Sequence, residues 1–212
     1  MVTKDKLLDY FVGFRQNDIS YEYLDIDFDL LPFDFIEFAE KDLKEKTDKN
    51  LINALGNIKR AIECQIDILI TFCGKYKQSS DEKWSFPKKI EYLENLGFVA
   101  PSILKKINTK RNKLEHYYRI PKKEDVQDAF DIALLFLKST EKFQDNFIPY
   151  FNIVNNDEII FVEYNCKKGE FVIRLGRSKE EPSWESDIYQ TITIYSKDRE
   201  FEKMMDFYVN IY

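Results

Sequence analysis

Histidine is almost missing from this chain: His116 is the only one in 212 residues. Cysteine is sparse too. Cys64, Cys73 and Cys166 are scattered, and no two of them have metal-ligand spacing. One imidazole and three dispersed thiols do not make a zinc site, so no metal is expected. Glycine and proline number six each, too few for a many-turned all-β fold. No apolar run reaches membrane length, and Met1–Ser20 has no signal-peptide pattern. The expectation is a cytoplasmic protein with reduced thiols and no membrane partner. P-loop and Rossmann glycine fingerprints are absent, which argues against nucleotide hydrolysis and hydride transfer. No cofactor is expected. An excess of positive charge is also lacking: the net charge is −6 and the pI about 5.1. Any affinity for a polyanion must therefore come from a local patch.

Aromatic residues are abundant, with 18 Phe and 13 Tyr, so the core should be Phe-rich. Lys4–Arg15 has helical spacing weakened by Gly13. Tyr21–Leu31 alternates acids with Tyr, Leu, Ile and Phe, as a short strand or an extended arm would. Phe33–Lys46 reads as an amphipathic helix. In the stretch from Leu51 to about Tyr76, Ile52, Leu55, Ile58, Ile62, Ile66, Leu69, Ile70 and Cys73 recur at steps of three and four, with Gly74 as a stop. Phe86–Leu96 is a shorter helix with Pro87 in its first turn and Gly97 after its end. Pro101 opens a helix through about Tyr118, which ends before Pro121. Glu124–Gln144 is the last long helix. Beyond Asn146, Glu158–Tyr164, Phe171–Leu175 and Ile188–Tyr195 are β-branched and aromatic runs. Lys167-Lys168-Gly169 is a hairpin turn between the first two. Asp198–Tyr212 closes as a helix.

These elements predict a mainly α protein. It comprises an N-terminal arm (1–32), a bundle of about five helices (33–146), and a small α+β region (147–212). That last region is read as a three-stranded antiparallel sheet with a terminal helix.

The chemistry concentrates in Lys110-Arg111-Asn112-Lys113-Leu114-Glu115-His116-Tyr117-Tyr118. Histidine is the side chain whose unperturbed pKa lies near neutral, and so the default proton carrier. Around it stand Lys105, Lys106, Lys110, Lys113, Arg119, Lys122 and Lys123, with Glu115 the only acid from Pro101 to Lys123. An arginine and a histidine in a cationic patch suit a phosphodiester that must be held and have a proton moved on it. On one helix, Arg111 and His116 fall about 140° apart, whereas Asn112 and His116 share a face at i and i+4. Convergence of both sets on one phosphate calls for a second copy across a two-fold axis.

Arg-Asn-x-x-x-His in a penultimate bundle helix, followed by a proline and a final apolar helix, resembles the HEPN domain. With Tyr118, the stretch is similar to the R-x4-H-x-Y variant of HEPN toxins that pair with minimal nucleotidyltransferase antitoxins. The likeness covers roughly residues 33–146. It implies a HEPN-like helical bundle that dimerises and, in active members, a metal-independent endoribonuclease of toxin or phage-defence type. On that likeness Arg111, Asn112 and His116 are the catalytic candidates. Lys106, Lys110, Lys113 and Tyr118 are the RNA-binding ones, and Tyr118 is also a site that a cognate antitoxin would modify. Arg60 and Glu63 on the long helix are candidate supporting residues.

The residues alone leave three classes open. The first is this RNase. The second is a non-catalytic HEPN-like module that binds RNA or a nucleotide, or dimerises beside a partner protein. The third is a helical scaffold, in which Arg111 pairs with Glu115 on a solvated face and the lysines are ordinary surface.

Overall fold

A computed structural model describes residues 1–45, 47–98, 104, 119–155, 157–177 and 187–212. The described chain divides into two compact units. One contains Met1–Leu24, Thr71–Gln78 and Asp145–Tyr212, the other Asp25–Ile70 and Ser79–Gln144.

The first unit is built on a five-stranded antiparallel sheet of β1 (Arg15–Glu22), β2 (Phe147–Val154), β3 (Glu158–Asn165), β4 (Glu170–Arg177) and β5 (Ile188–Tyr195). The strands lie side by side in sequence order. In β4, Phe171, Ile173 and Leu175 point to one face and are fully buried, as alternation along a strand requires. The register sets them opposite Tyr164, Val162 and Ile160 of β3. On the other side Phe171 and Ile173 meet Ile194 and Ile192 of β5. Two helices belong to this unit, α1 (Leu7–Tyr10) and α8 (Phe201–Val209). Helix α8 buries Phe201, Met204, Met205 and Tyr208, the i, i+3, i+4, i+7 stripe of a helix lying on a core. Tyr208 is the hub of that core. Its ring stacks on Phe72 at 5.5 Å, lies 4.9 Å from Tyr164 and meets Phe171 edge-on at 5.6 Å.

The expected mainly α architecture with a three-stranded sheet is thus overturned by the five strands, of which β1 and β2 lie outside the runs that read as strands. The reasons are local. Strand β1 is a polar edge with no apolar alternation. Strand β2 carries Pro149, which cannot donate to a ladder and normally marks a bulge or an edge. Its pairing with β1 slips there, between Ser20↔Tyr150 and Glu22↔Phe147. Ile148, beside the proline, is satisfied from α8 and its extension instead. Tyr208 Oη donates to the Ile148 carbonyl at 2.6 Å, and the Ile148 N–H donates to Tyr212 Oη at 3.0 Å.

The second unit is helical in its described part. It holds α2 (Pro32–Glu45), α3 (Asp48–Phe72) up to Ile70, α5 (Phe86–Asn95) and α6 (Lys123–Thr140). The short α4 (Tyr76–Asp81) and α7 (Lys142–Asp145) each cross a boundary between units. Ser85 caps α5, its Oγ accepting from the Lys88 N–H at 3.4 Å, with Pro87 in the first turn. In α6, Val126, Ala129, Ala133, Phe136, Leu137 and Thr140 are buried. The helix expected over 101–118 lies outside the described residues, apart from buried Leu104. No helix among the described residues is long and apolar enough to cross a membrane.

Gly74 ends the turn after α3 in the left-handed region, at φ +66°, and Gly169 turns the β3–β4 hairpin at φ +62°. The two pack backbone to backbone. A Cβ on Gly74 would lie 2.8 Å from Gly169 Cα, and one on Gly169 would lie 2.7 Å from the Gly74 carbonyl oxygen. Neither neighbour is a flexible side chain. Gly74→Ala and Gly169→Ala should each cost roughly 1–3 kcal/mol from backbone strain alone. Urea midpoints check this; an unchanged midpoint in either variant would contradict the packing.

Candidate functional site

All seven residues singled out for RNA chemistry, Lys106, Lys110, Arg111, Asn112, Lys113, His116 and Tyr118, lie outside the described residues. Arg119, Ile120, Lys122 and Lys123, which follow them, are exposed. Lys122 stands at the N-terminal boundary of α6. Arg60 and Glu63 are engaged on their own helix. Arg60 Nη1 donates to Asn57 Oδ1 at 2.9 Å, and Glu63 pairs with Lys59 at 3.0 Å.

The cysteines are poor nucleophiles. Burial pushes the half-buried Cys64 thiol up to about 12, with Asp67 and Asp34 adding to the shift. Burial likewise takes Cys166 to about 11 and Cys73 well above the ordinary thiol range. A thiol that keeps its proton neither attacks nor ligates readily. No group of three or more His, Cys, Asp or Glu among the described residues is arranged to hold a metal ion.

One titratable cluster in the first unit joins three elements. Tyr10 ends α1, Glu158 begins β3 and Tyr189 lies near the start of β5. Tyr10 Oη donates to Glu158 Oε2 and Tyr189 Oη to Glu158 Oε1, both at 2.5 Å, and the two phenol oxygens are 3.2 Å apart. Arg177 faces Glu158 across the β3–β4 ladder. Burial first, then the bond to Glu158, pushes both phenols up. They are fixed donors, not acids or bases working near neutral pH.

The cluster is a clamp that fastens the N-terminal segment to the sheet. Two further contacts act alongside it. The Gln190 amide grips the Val2 backbone, accepting from its N–H at 2.9 Å and donating to its carbonyl at 2.5 Å. Lys4 pairs with Asp198 at 2.7 Å. No local pattern in the sequence announces this clamp, because its partners are 31 and 148 residues from Glu158. The buried Lys75 is structural as well. Its Nζ donates to the Ser196 carbonyl at 2.7 Å, pairs with Glu202 at 2.9 Å and lies 4.9 Å from the Phe201 ring centroid.

These raised groups set an alkaline limit. Burial takes Tyr212 to about 12 and Cys166 to about 11, while an unfolded chain titrates near 10 and 8.5. The fold therefore holds protons that the unfolded chain would release. That contribution is complete below the unfolded values and is lost as pH rises through the folded ones. The urea midpoint should fall progressively between roughly pH 9 and 12. A flat midpoint over that window would contradict these shifts.

Comparison of the chain with protein-family models, with curated proteins and with solved structures finds no match.

Proposed function

We propose that this chain is a metal-independent endoribonuclease of toxin or phage-defence type, working in the cytoplasm. Its site is formed by Arg111, Asn112 and His116 across a homodimer. The observation that carries the reading is the Arg111-Asn112-x3-His116 spacing within a run of lysines that holds a single acid. The chemistry follows from the residue types. The 2′-oxygen attacks phosphorus, a P–O2′ bond forms and the P–O5′ bond breaks. His116 takes the 2′ proton, and the conjugate acid form of the same side chain, or that of the second copy, protonates the leaving 5′-oxygen. Arg111 holds the developing negative charge with a planar fork of donors. Asn112 orients the histidine or the phosphate. Lys106, Lys110 and Lys113 supply sequence-independent attraction for RNA, and Tyr118 contacts RNA or receives an antitoxin's modification.

The test is RNA cleavage by the purified chain in excess EDTA. Products ending in 2′,3′-cyclic phosphate and 5′-hydroxyl support the reading. Ends of the opposite polarity, or cleavage that EDTA abolishes, count against it. The acidic balance of the whole chain, −6, favours a second reading, a non-catalytic module that binds RNA or a nucleotide beside a partner protein. RNA binding without cleavage selects that one.

A further inference from the structure

Strand β5 is the last in the sheet order, and no strand among the described residues pairs with its outer side. The direction of its backbone groups can be worked out. The Ser196 N–H donates to the Gly169 carbonyl at 2.7 Å, toward the β4 side. Successive residues of a strand aim their N–H and C=O groups to alternate sides. Ile194 and Ile192 therefore bond toward β4, while Tyr195, Thr193 and Thr191 aim outward. The Tyr195 N–H is already taken, by Asp198 Oδ2 at 3.0 Å. At the other end the β4–β5 register shifts between Leu175 and Gly176, where Gln190 and Ile188 are the partners, leaving Tyr189 unmatched. What remains open is a three-residue stretch centred on Ile192, with the N–H and C=O of Thr191 and Thr193 unpartnered among the described residues.

Exposed sheet edges are usually guarded by charge, proline or bulges. The opposite edge, β1, follows that rule, with Arg15, Asp18 and Glu22 and two register shifts. Strand β5 reads Ile-Tyr-Gln-Thr-Ile-Thr-Ile-Tyr, without charge, proline or glycine.

We propose that β5 is a homotypic edge. A second copy adds its own β5 antiparallel about a two-fold axis at Ile192 and joins the two sheets into one. Residues directly opposite in an antiparallel pair share a face. The open groups then fix the register: Thr191 faces Thr193 of the second copy, Thr193 faces Thr191, and Ile192 faces its own counterpart. Thr191 and Thr193 exchange four hydrogen bonds. The strand is its own complement, threonine against threonine and isoleucine against isoleucine, the β-branched pairs that favour sheet contact. Its open stretch is symmetric about its centre, and it carries no charge that would select an acidic or basic peptide.

Sedimentation velocity over a concentration series, with Thr193→Pro beside wild type, tests this. Proline at 193 removes an outward N–H and no bond to β4. At the highest concentration the wild-type mass should be twice that of the variant, and Thr191→Lys, which sets two like charges across the axis, should match the proline. Hydrogen exchange on the wild type needs no variant: the Thr191 and Thr193 amides should gain protection as concentration rises. Equal masses for wild type and both variants would overturn the proposal, as would amides that exchange freely throughout. Neither threonine belongs to the cleavage site, so a chain that cuts no RNA is still judged by its mass.

Discussion

Alanine at His116 is expected to slow RNA cleavage by about 10²–10⁴-fold, the usual worth of a positioned proton carrier. The chain has no second histidine to substitute for it. Arg111→Ala should cost a comparable factor through lost charge stabilisation. Arg111→Lys keeps the charge but loses the planar fork, so it should recover only part of the rate. A mixing experiment addresses the shared site. If Arg111 of one copy serves His116 of the other, random pairing of the two alanine chains yields half heterodimers, each with one intact site. About a quarter of wild-type activity should then return. Single-turnover rates on a labelled RNA decide these points, with circular dichroism as the folding control. A His116→Ala chain that cuts at the wild-type rate would remove the catalytic assignment.

Tyr208→Ala is expected to be the most damaging single change in the sheet unit, at about 3–5 kcal/mol for loss of a buried aromatic side chain. Tyr208 is fully buried against Phe72, Tyr164, Phe171 and Phe151, so no single neighbour can collapse into the space. Truncation also leaves the Ile148 carbonyl without its tyrosine donor, beside a proline that already interrupts the ladder. Against a typical total of 5–15 kcal/mol, the loss brings the unit close to unfolding. Tyr208→Phe isolates the hydrogen bond and should cost about 1 kcal/mol. Urea titrations that follow sheet signal measure both. Equal losses for the two variants would show that the hydroxyl, not the ring, carries the effect.

The helices were legible because their apolar spacing is local. Pro32–Glu45, Asp48–Phe72, Phe86–Asn95 and Lys123–Thr140 follow the stripes that the sequence displays. Strands β3, β4 and β5 were legible for the same reason, being dense in Ile, Val, Thr and aromatic residues. Strand β1 was not, because Arg-Gln-Asn-Asp-Ile-Ser-Tyr-Glu owes its conformation to β2, more than a hundred residues away. In β2 the signal is cancelled by Pro149, where the pairing with β1 shifts and two tyrosines satisfy Ile148 instead. The candidate catalytic residues Arg111, Asn112 and His116 are legible as composition and spacing, within six consecutive residues. The Tyr10–Glu158–Tyr189 clamp is a product of strand register, and register across such separations leaves no mark in a local window.

The discontinuity of the sheet unit sets an order on events at the ribosome. Strand β1 emerges early, but the strand it pairs with begins at Phe147. At roughly 5–20 residues per second, β1 waits on the order of 6–25 s for its neighbour. All of the helical unit is made in that interval, since it ends at Gln144. The helices can therefore form first, while residues 15–22 stay open to chaperones and proteases. Nascent chains stalled at residue 146 should be cut by protease within 15–22, and chains extended through α8 should resist. The charges at Arg15, Asp18 and Glu22 then serve a second purpose, keeping a waiting strand soluble before it has anything to pair with.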